Sequence, residues 1–93
     1  MRAFMHKFRG VRYKIRFCEL FEMMGLCDPP SSEKPAIIFD RGLKQVDLLD
    51  TVIHESLHAC FPDLKEDAVN VAAADIARLI TRMGFLQADQ IKS

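Results

Sequence analysis

The chain has 93 residues, of which 49% are hydrophobic and 28% charged, and its formal net charge is zero at neutral pH. Length and composition are ordinary for one soluble globular domain near the small end of sizes that support a core. No apolar run approaches the roughly 18 residues of a membrane span, and no signal-peptide pattern follows the basic N-terminus, so no membrane partner is expected. Cys18, Cys27 and Cys60 form no CxxC pair, which disfavours a disulfide framework and favours a reducing cytoplasm.

The N-terminal segment combines a strand pattern with positive charge. Residues 11–17, VRYKIRF, alternate apolar and basic side chains, which predicts a strand with one buried and one solvated face. Residues 3–8, AFMHKF, are predicted to be its hairpin partner through Arg9-Gly10. Residues 1–17 contain six basic side chains and no acidic one. The basic side of this hairpin is therefore either a solvated strand face or a surface for nucleic acid or an acidic protein.

The middle of the chain holds a second, shorter strand pattern. Residues 18–25, CELFEMMG, fit either a helical turn or a continuation of the first strand, and residues 27–35, CDPPSSEKP, predict a loop. Residues 36–40, AIIFD, are mostly apolar and are followed by Arg41-Gly42. They predict a short strand that is buried or lies at an edge.

Two helices are predicted after this strand. Apolar residues recur every three or four positions from about Val46, which predicts an amphipathic helix that Pro62 ends near Phe61. Asp63 is then the predicted N-cap of a second helix, with Glu66 completing a capping box.

The second helix is predicted to run to Met83, with Gly84 as its C-cap. The whole chain is thus predicted to be a single α+β domain. Residues 1–42 are its strand-rich part, residues 43–84 its two helices, and residues 85–93 a tail. A small antiparallel or mixed sheet is expected to pack on the two helices.

The first helix carries the pattern HESLH at residues 54–58. Positions i and i+4 lie one turn apart on one side of a helix, so His54 and His58 can bind one metal ion together. Glu55 is rotated about 100° from His54, which places it to hold a water on the metal rather than to act as a ligand. Zinc lowers the pKa of such a water, and Glu55 accepts its proton as general base. The alternative is a half-exposed helix whose histidines only form hydrogen bonds.

The order of elements resembles that of minimal zincin metallopeptidases. It is most similar to the small single-domain HExxH proteins of phage and prophage genomes, akin to the ImmA/IrrE-type and SprT-like peptidases. In those proteins the motif helix is followed by alanine, a short turn and a helix with an acidic start. Residues 58–79, HACFPDLKEDAVNVAAADIARL, have that order, and the resemblance covers residues 35–84.

The resemblance implies a zinc cofactor, with His54 and His58 as ligands and Glu55 as general base. It implies that the strand at residues 36–40 is the edge strand beside the cleft, where an extended peptide adds to the sheet. It further implies a protein or peptide substrate, and a phage-encoded protein that acts in the cytoplasm of its host.

The third metal ligand stays open at this point. The position six residues after His58 is Leu64, so the longer pattern HExxHxxGxxH is not present. Glu66 is the first choice because a turn before the second helix would bring it near the ion. The capping box explains Glu66 equally well, and Asp67 and Asp75 are the alternative ligands.

Other chemically distinctive residues are predicted to be structural. Tyr13 could stabilise an oxyanion, but its place in the alternating strand predicts a core residue. Cys60 lies on a different side of the first helix from the histidines and is predicted to be a core residue. Cys18 and Cys27 are predicted to be small buried hydrophobes, and His6 a surface residue.

Two functions are compatible with these patterns. The first is a zinc-dependent metallopeptidase that hydrolyses a peptide bond in a protein or peptide substrate. The second is a non-catalytic zinc-binding module whose basic N-terminal hairpin binds nucleic acid or an acidic protein; a zincin scaffold that no longer cleaves is a third. Structural zinc sites close with four protein ligands, whereas catalytic sites keep one position open. The sequence shows no fourth ligand, which favours the first function.

Overall fold

The computed structural model describes residues 2–85, so the predicted tail at residues 85–93 lies outside the described residues apart from Phe85. The described part has an α+β fold, as predicted. Its strands and helices are β1 (Phe4–Phe8), β2 (Val11–Cys18), β3 (Gly25–Cys27), β4 (Ala36–Asp40), α1 (Gln45–Cys60) and α2 (Glu66–Arg82). Between residues 2 and 85, no helix is long and apolar enough to cross a membrane.

The predicted N-terminal hairpin is confirmed. β1 and β2 pair antiparallel up to Phe8 and Val11, and only two residues connect them. Both connecting residues have positive φ, 48° for Arg9 and 86° for Gly10. Two-residue turns of this kind match the right-handed twist of the flanking strands. Neighbours in sequence therefore suffice to form this part of the sheet.

The sheet is mixed, with the strand order β1-β2-β4-β3. β2 and β4 run parallel, and the other two pairs are antiparallel. Because β4 lies between β2 and β3, the edge position that the resemblance implied for AIIFD is wrong, and the alternative of a buried strand is correct. That edge is β3, which pairs with β4 from Gly25 opposite Phe39 to Cys27 opposite Ile37. A strand of three residues is too short to show an alternation in sequence. For this reason the sequence around β3 was compatible with a helical turn, with a continuation of the first strand and with a loop.

Helix α1 lies across one face of the sheet and closes the core. The buried core cluster consists of Tyr13, Ile15, Ile37, Phe39 and Ala59. The residues that α1 buries are Thr51, Glu55 and Ala59, which are spaced four apart and so share one side of the helix. Thr51 and Glu55 are polar, and the burial of Glu55 is unusual because charged residues are rarely buried without a partner. The range of α1 agrees with the predicted helix that ends before Pro62.

Helix α2 packs on α1 and contributes little contact to the strands. Its buried residues are Val69, Ala73 and Ala77, whose small side chains allow the two helices to approach closely. The prediction that the sheet packs on two helices is therefore correct only for α1. The predicted end of α2 is correct to within one residue, since the helix stops at Arg82 with Met83 as its C-cap and Gly84 follows with a φ of 87°.

The predicted start of α2 is wrong. The residue before its first turn is Lys65, and no side chain caps this end by a hydrogen bond. Asp63 instead lies in a turn in which the Leu64 amide donates to the Phe61 carbonyl at 3.0 Å. The helix thus begins three residues after the predicted cap, and Glu66 is not part of a capping box.

Candidate metal centre

The last turns of α1 meet the first turn of α2, and three side chains converge there. The Nε2 atoms of His54 and His58 lie 3.1 Å apart. The Glu66 carboxylate faces both rings, with Oε2 3.2 Å from His54 Nε2 and Oε1 3.0 Å from His58 Nε2. The helix register brings the two imidazoles to one side of α1, and the late start of α2 puts Glu66 opposite them.

This donor set fits a divalent metal ion. One ligand atom from each of His54, His58 and Glu66 can be chosen such that all lie within 4.8 Å of one another. Donor atoms bound to a tetrahedral zinc are about 3.3–3.6 Å apart, so a small outward movement of these side chains would seat the ion. The side chains of His54 and His58 are 19% and 25% exposed, and that of Glu66 is 63% exposed. The carboxylate side of the group is therefore the side open to solvent.

Two alternative ligands predicted from sequence lie outside this group. Asp67 is exposed, and its Oδ1 accepts a hydrogen bond from the amide of Ala68 at 2.8 Å. Asp75 forms an ion pair with Arg78 on the surface of α2. Of the three candidate carboxylates, only that of Glu66 faces the histidines.

Glu55 follows His54 in sequence but points to the sheet instead of joining the histidines. It is buried, with 7% of its surface exposed. Burial raises the pKa of its carboxyl group, while the nearby His54 and His58 lower it and Glu66 raises it further. A carboxylate with a raised pKa accepts a proton more readily than an ordinary glutamate. Glu55 is thus suited to act as a base.

A depression of about 410 Å³ opens beside these residues. The side chains and backbone that line it include His54, Glu55, His58, Glu66 and the whole of β3. The depression therefore brings the three candidate ligands, the buried carboxylate and the edge of the sheet to one place.

Gly25 is a residue of this site that the sequence did not indicate. A Cβ atom added to it would lie 3.0 Å from Thr51 Cγ2 and 3.1 Å from both Cγ and Oε2 of Glu55. These distances are tighter than ordinary contacts, so a larger residue here would require Thr51 and Glu55 to shift, whereas glycine accommodates the close approach of β3 to α1. No sequence signal could have found this role, because it depends on a strand pairing between distant segments.

Cys27, which lines the depression, and the buried Tyr13 both donate to one carbonyl. The Cys27 thiol donates to the Asp28 carbonyl at 3.3 Å, and the Tyr13 hydroxyl donates to the same carbonyl at 3.1 Å. Burial, with the nearby Glu55 as the next cause, raises the pKa of Cys27 to about 12. Burial also raises the pKa of Tyr13 to about 12. Tyr13 is fully buried, which confirms it as a core residue, whereas Cys27 is only half-buried and lines the depression.

Comparison of the chain with protein-family models, with curated proteins and with solved structures gave no match. Inference about function rests on the side chains themselves. They are two imidazoles and a carboxylate that converge from two helices, and a second carboxylate buried one residue from the first imidazole.

Proposed function

We propose that this chain is a zinc-dependent metallopeptidase of the minimal zincin type, which hydrolyses a peptide bond in a protein or peptide substrate. The observation that carries the proposal is the arrangement of the HESLH segment. His54 and His58 face Glu66 at 3.2 Å and 3.0 Å, while Glu55 is buried beside them against the sheet. This division between converging ligands and an adjacent base is what hydrolysis by an HExxH site requires.

His54, His58 and Glu66 would hold the ion. When bound, a zinc ion supplies a Lewis acid that polarises a carbonyl group and acidifies a water molecule. Three protein ligands leave one coordination position open, which is the arrangement of catalytic rather than structural zinc sites. Because Glu66 is exposed, solvent or a substrate could approach an ion held by these three residues from the side of Glu66.

Glu55 would act as general base and then as general acid. Its raised pKa favours the uptake of a proton from the attacking water. The same carboxyl group can pass that proton to the leaving amine as the peptide bond breaks. The backbone of Gly25 lies so close to Glu55 that an added Cβ would be 3.1 Å from Oε2, and both residues line the depression that a substrate carbonyl would enter.

The strand β3 would position the substrate. It pairs with β4 on one side only within the described residues, so its other edge has backbone groups free to pair with an extended peptide. β3 lines the same depression as Glu55. Strand addition at β3, and not at AIIFD, would therefore bring a substrate backbone past the base.

The test is a comparison of two carboxylate variants on α1. We expect the wild-type protein to bind one equivalent of zinc and to cleave members of a quenched fluorescent peptide library. Glu55→Gln should keep the zinc and lose about 10²–10⁴-fold in rate, because a general base contributes about that much. Asp50→Asn, a control on the same helix, should keep both properties.

Two results would contradict the proposal. One is a Glu55→Gln variant that cleaves at the wild-type rate, and the other is a wild-type protein that takes up no zinc. Stoichiometric zinc without cleavage of any peptide would favour the non-catalytic zinc-binding module instead.

A further inference from the structure

The sheet has a second face, opposite α1, on which basic side chains are concentrated. Tyr13 and Ile15 are buried toward α1, and successive side chains of a strand point to opposite faces. The residues between and beside them therefore point outward. Lys7 of β1 lies opposite one of these outward residues in the pairing register, and Lys34 precedes the segment that bonds to the β2 backbone. Five exposed cations lie on the outer face, namely Lys7, Arg12, Lys14, Arg16 and Lys34. The pairing register also puts Met5 opposite Lys14 and Ile38 opposite Arg16 on this face.

Most of these cations are not neutralised by neighbours in the described part of the chain. None of the ion pairs formed within residues 2–85 involves any of them. Glu33 lines one depression together with Arg12, Lys14, Arg16 and Lys34, so it offsets one of these positive charges. Asp40 at the end of the outer face accepts hydrogen bonds from the amides of Leu20 at 2.7 Å and Gly42 at 3.2 Å. The remaining positive charge of this face is therefore available to a partner.

The zero net charge of the chain hides a separation of charge between two halves. Residues 1–44 contain nine Lys or Arg and five Asp or Glu, whereas residues 45–85 contain three Lys or Arg and seven Asp or Glu. The positive half forms the sheet and the negative half forms the helices. This separation of charge attracts an approaching polyanion to the outer face and repels it from the helices.

We propose that the outer face binds the phosphate backbone of a nucleic-acid duplex without regard to base sequence. Alternate residues of a strand are about 6.6 Å apart, so Arg12, Lys14 and Arg16 form a row about 13 Å long. This length is close to the ~12 Å width of the major groove of B-DNA, which puts phosphates on both sides of the groove within reach of the row. Long side chains of Lys7 and Lys34 flank the row and add contacts to the same strands.

The side chains present on this face favour phosphates over bases. The pairing register sets Phe4 and Phe8 opposite Ile15 and Val11, so both rings belong to the α1 side of the sheet. Phe17 and Phe39 pack against each other and with the core on that same side. The outward positions of β1 and β2 carry no ring on which an unpaired base could stack, and proteins that bind single strands rely on such stacking. A duplex, whose bases are already stacked, fits the face better than a single strand.

This proposal does not depend on the metal centre. His54, His58 and Glu66 lie where α1 meets α2, on the covered side of the sheet. Duplex binding should therefore be the same with zinc and with a chelator, which separates its test from that of the peptidase.

The experiment measures fluorescence anisotropy of a labelled mixed-sequence DNA duplex with the full chain over a range of salt concentrations. In the test variant, Arg12, Lys14 and Arg16 are all replaced by Gln. In the control variant, three cations of the helical half are replaced by Gln, so both variants lose the same charge. These cations are Lys65, which directly precedes α2, and Arg78 and Arg82, which lie in its last two turns. At low salt, the test variant should bind the duplex more weakly by a factor of about 10 or more. A plot of the logarithm of the association constant against the logarithm of salt concentration should be less steep by about 3. The control should keep the wild-type slope.

Four results would overturn the proposal. The first is that the wild-type protein does not bind the duplex at low salt. The second is that the control variant loses as much affinity as the test variant. The third is that the wild-type protein binds a single strand of the same length more tightly than the duplex. The fourth is polyglutamate that displaces the duplex at equal charge concentration, which would identify an acidic protein as the partner. Circular dichroism of each variant shows whether the fold is retained.

Discussion

Charged groups have opposite environments in two regions of the molecule, the β1–β2 hairpin and the corner where β3, α1 and α2 meet. In the hairpin, residues adjacent in sequence pair through a two-residue turn, and the charges of Arg12, Lys14 and Arg16 stay in water. At the corner, three segments distant in sequence bury Thr51 and Glu55. Solvated charges cost little free energy, whereas a buried carboxylate opposes folding unless its charge is compensated.

The corner is therefore where this small protein holds a buried carboxylate that opposes folding. The Thr51 hydroxyl is satisfied locally, because it donates to the Asp47 carbonyl at 2.8 Å. Among residues 2–85, His54 and His58 favour the charged form of Glu55, and burial still raises the pKa of Glu55. A region that retains such a group is a candidate for function, whereas the buried Tyr13 of the hairpin, whose pKa burial raises to about 12, is an uncharged phenol at neutral pH.

The largest expected difference between the two regions concerns zinc affinity. His58→Ala should weaken zinc binding by more than about 100-fold, since loss of even a partner of a metal ligand costs 10–100-fold. His6→Ala is the matched control, because His6 is exposed in β1 and packs against Phe8. Competition with a chromogenic chelator measures both affinities. Equal losses in the two variants would place the ion elsewhere.

The next effect distinguishes the two adjacent acidic residues at the start of α2. Glu66→Gln should weaken zinc binding by at least about 10-fold, because it removes a charged ligand. Asp67→Asn removes the same charge one residue later and should leave zinc affinity unchanged. Metal content after dialysis against a zinc buffer measures the result. An unchanged affinity in Glu66→Gln would return the third ligand to Asp67 or Asp75.

A pair of glycine substitutions compares the packing of the two regions. Gly25→Ala should lower the free energy of unfolding by about 1–3 kcal/mol, because its Cβ overpacks a buried contact with α1. It should also lower peptidase activity by displacing Glu55. Gly10→Ala meets no atom within 4 Å and should cost only about 1 kcal/mol from its positive φ, with activity retained. Urea denaturation and peptide cleavage measure both. Full activity and stability in Gly25→Ala would show that β3 does not position Glu55.

The smallest effect is a pH dependence of the metal-free protein. Because the pKa of Glu55 is raised by folding, the folded state holds this proton more tightly than the unfolded chain. The contribution of Glu55 to stability is thus fully present below the ordinary glutamate pKa and is lost as pH rises through the raised value. Glu55→Gln should remove this decline and be the more stable protein at neutral pH. Urea denaturation with a chelator at several pH values measures the difference, and a wild-type protein as stable as the variant at neutral pH would contradict it.

Local patterns were enough to predict much of this fold. The alternation in VRYKIRF and the Arg9-Gly10 turn predicted the hairpin, and the three-and-four spacing before Pro62 predicted α1. Gly84 marked the end of α2 correctly. Each of these signals acts within a few residues, where backbone geometry and side-chain periodicity determine the structure without help from distant segments.

Local patterns gave wrong predictions where the structure depends on how neighbouring segments pair or turn. AIIFD has the composition of a strand, but whether a strand is central or at an edge depends on what pairs with its second side, and β3 is too short to be predicted. The sequence signature of a capping box at Asp63 and Glu66 was equally misleading, because a turn at Phe61–Leu64 delays the start of α2.

The sequence by itself determined that His54 and His58 share one side of a helix, because helical periodicity requires it. It also determined the two faces of β2, one apolar and one basic. Only the tertiary structure decided that Glu66, and not Asp67 or Asp75, faces the histidines, and that Glu55 is buried against Gly25. The physical reason is that these contacts join separate segments, whose distance is set by the packing of whole helices and strands and not by spacing along the chain.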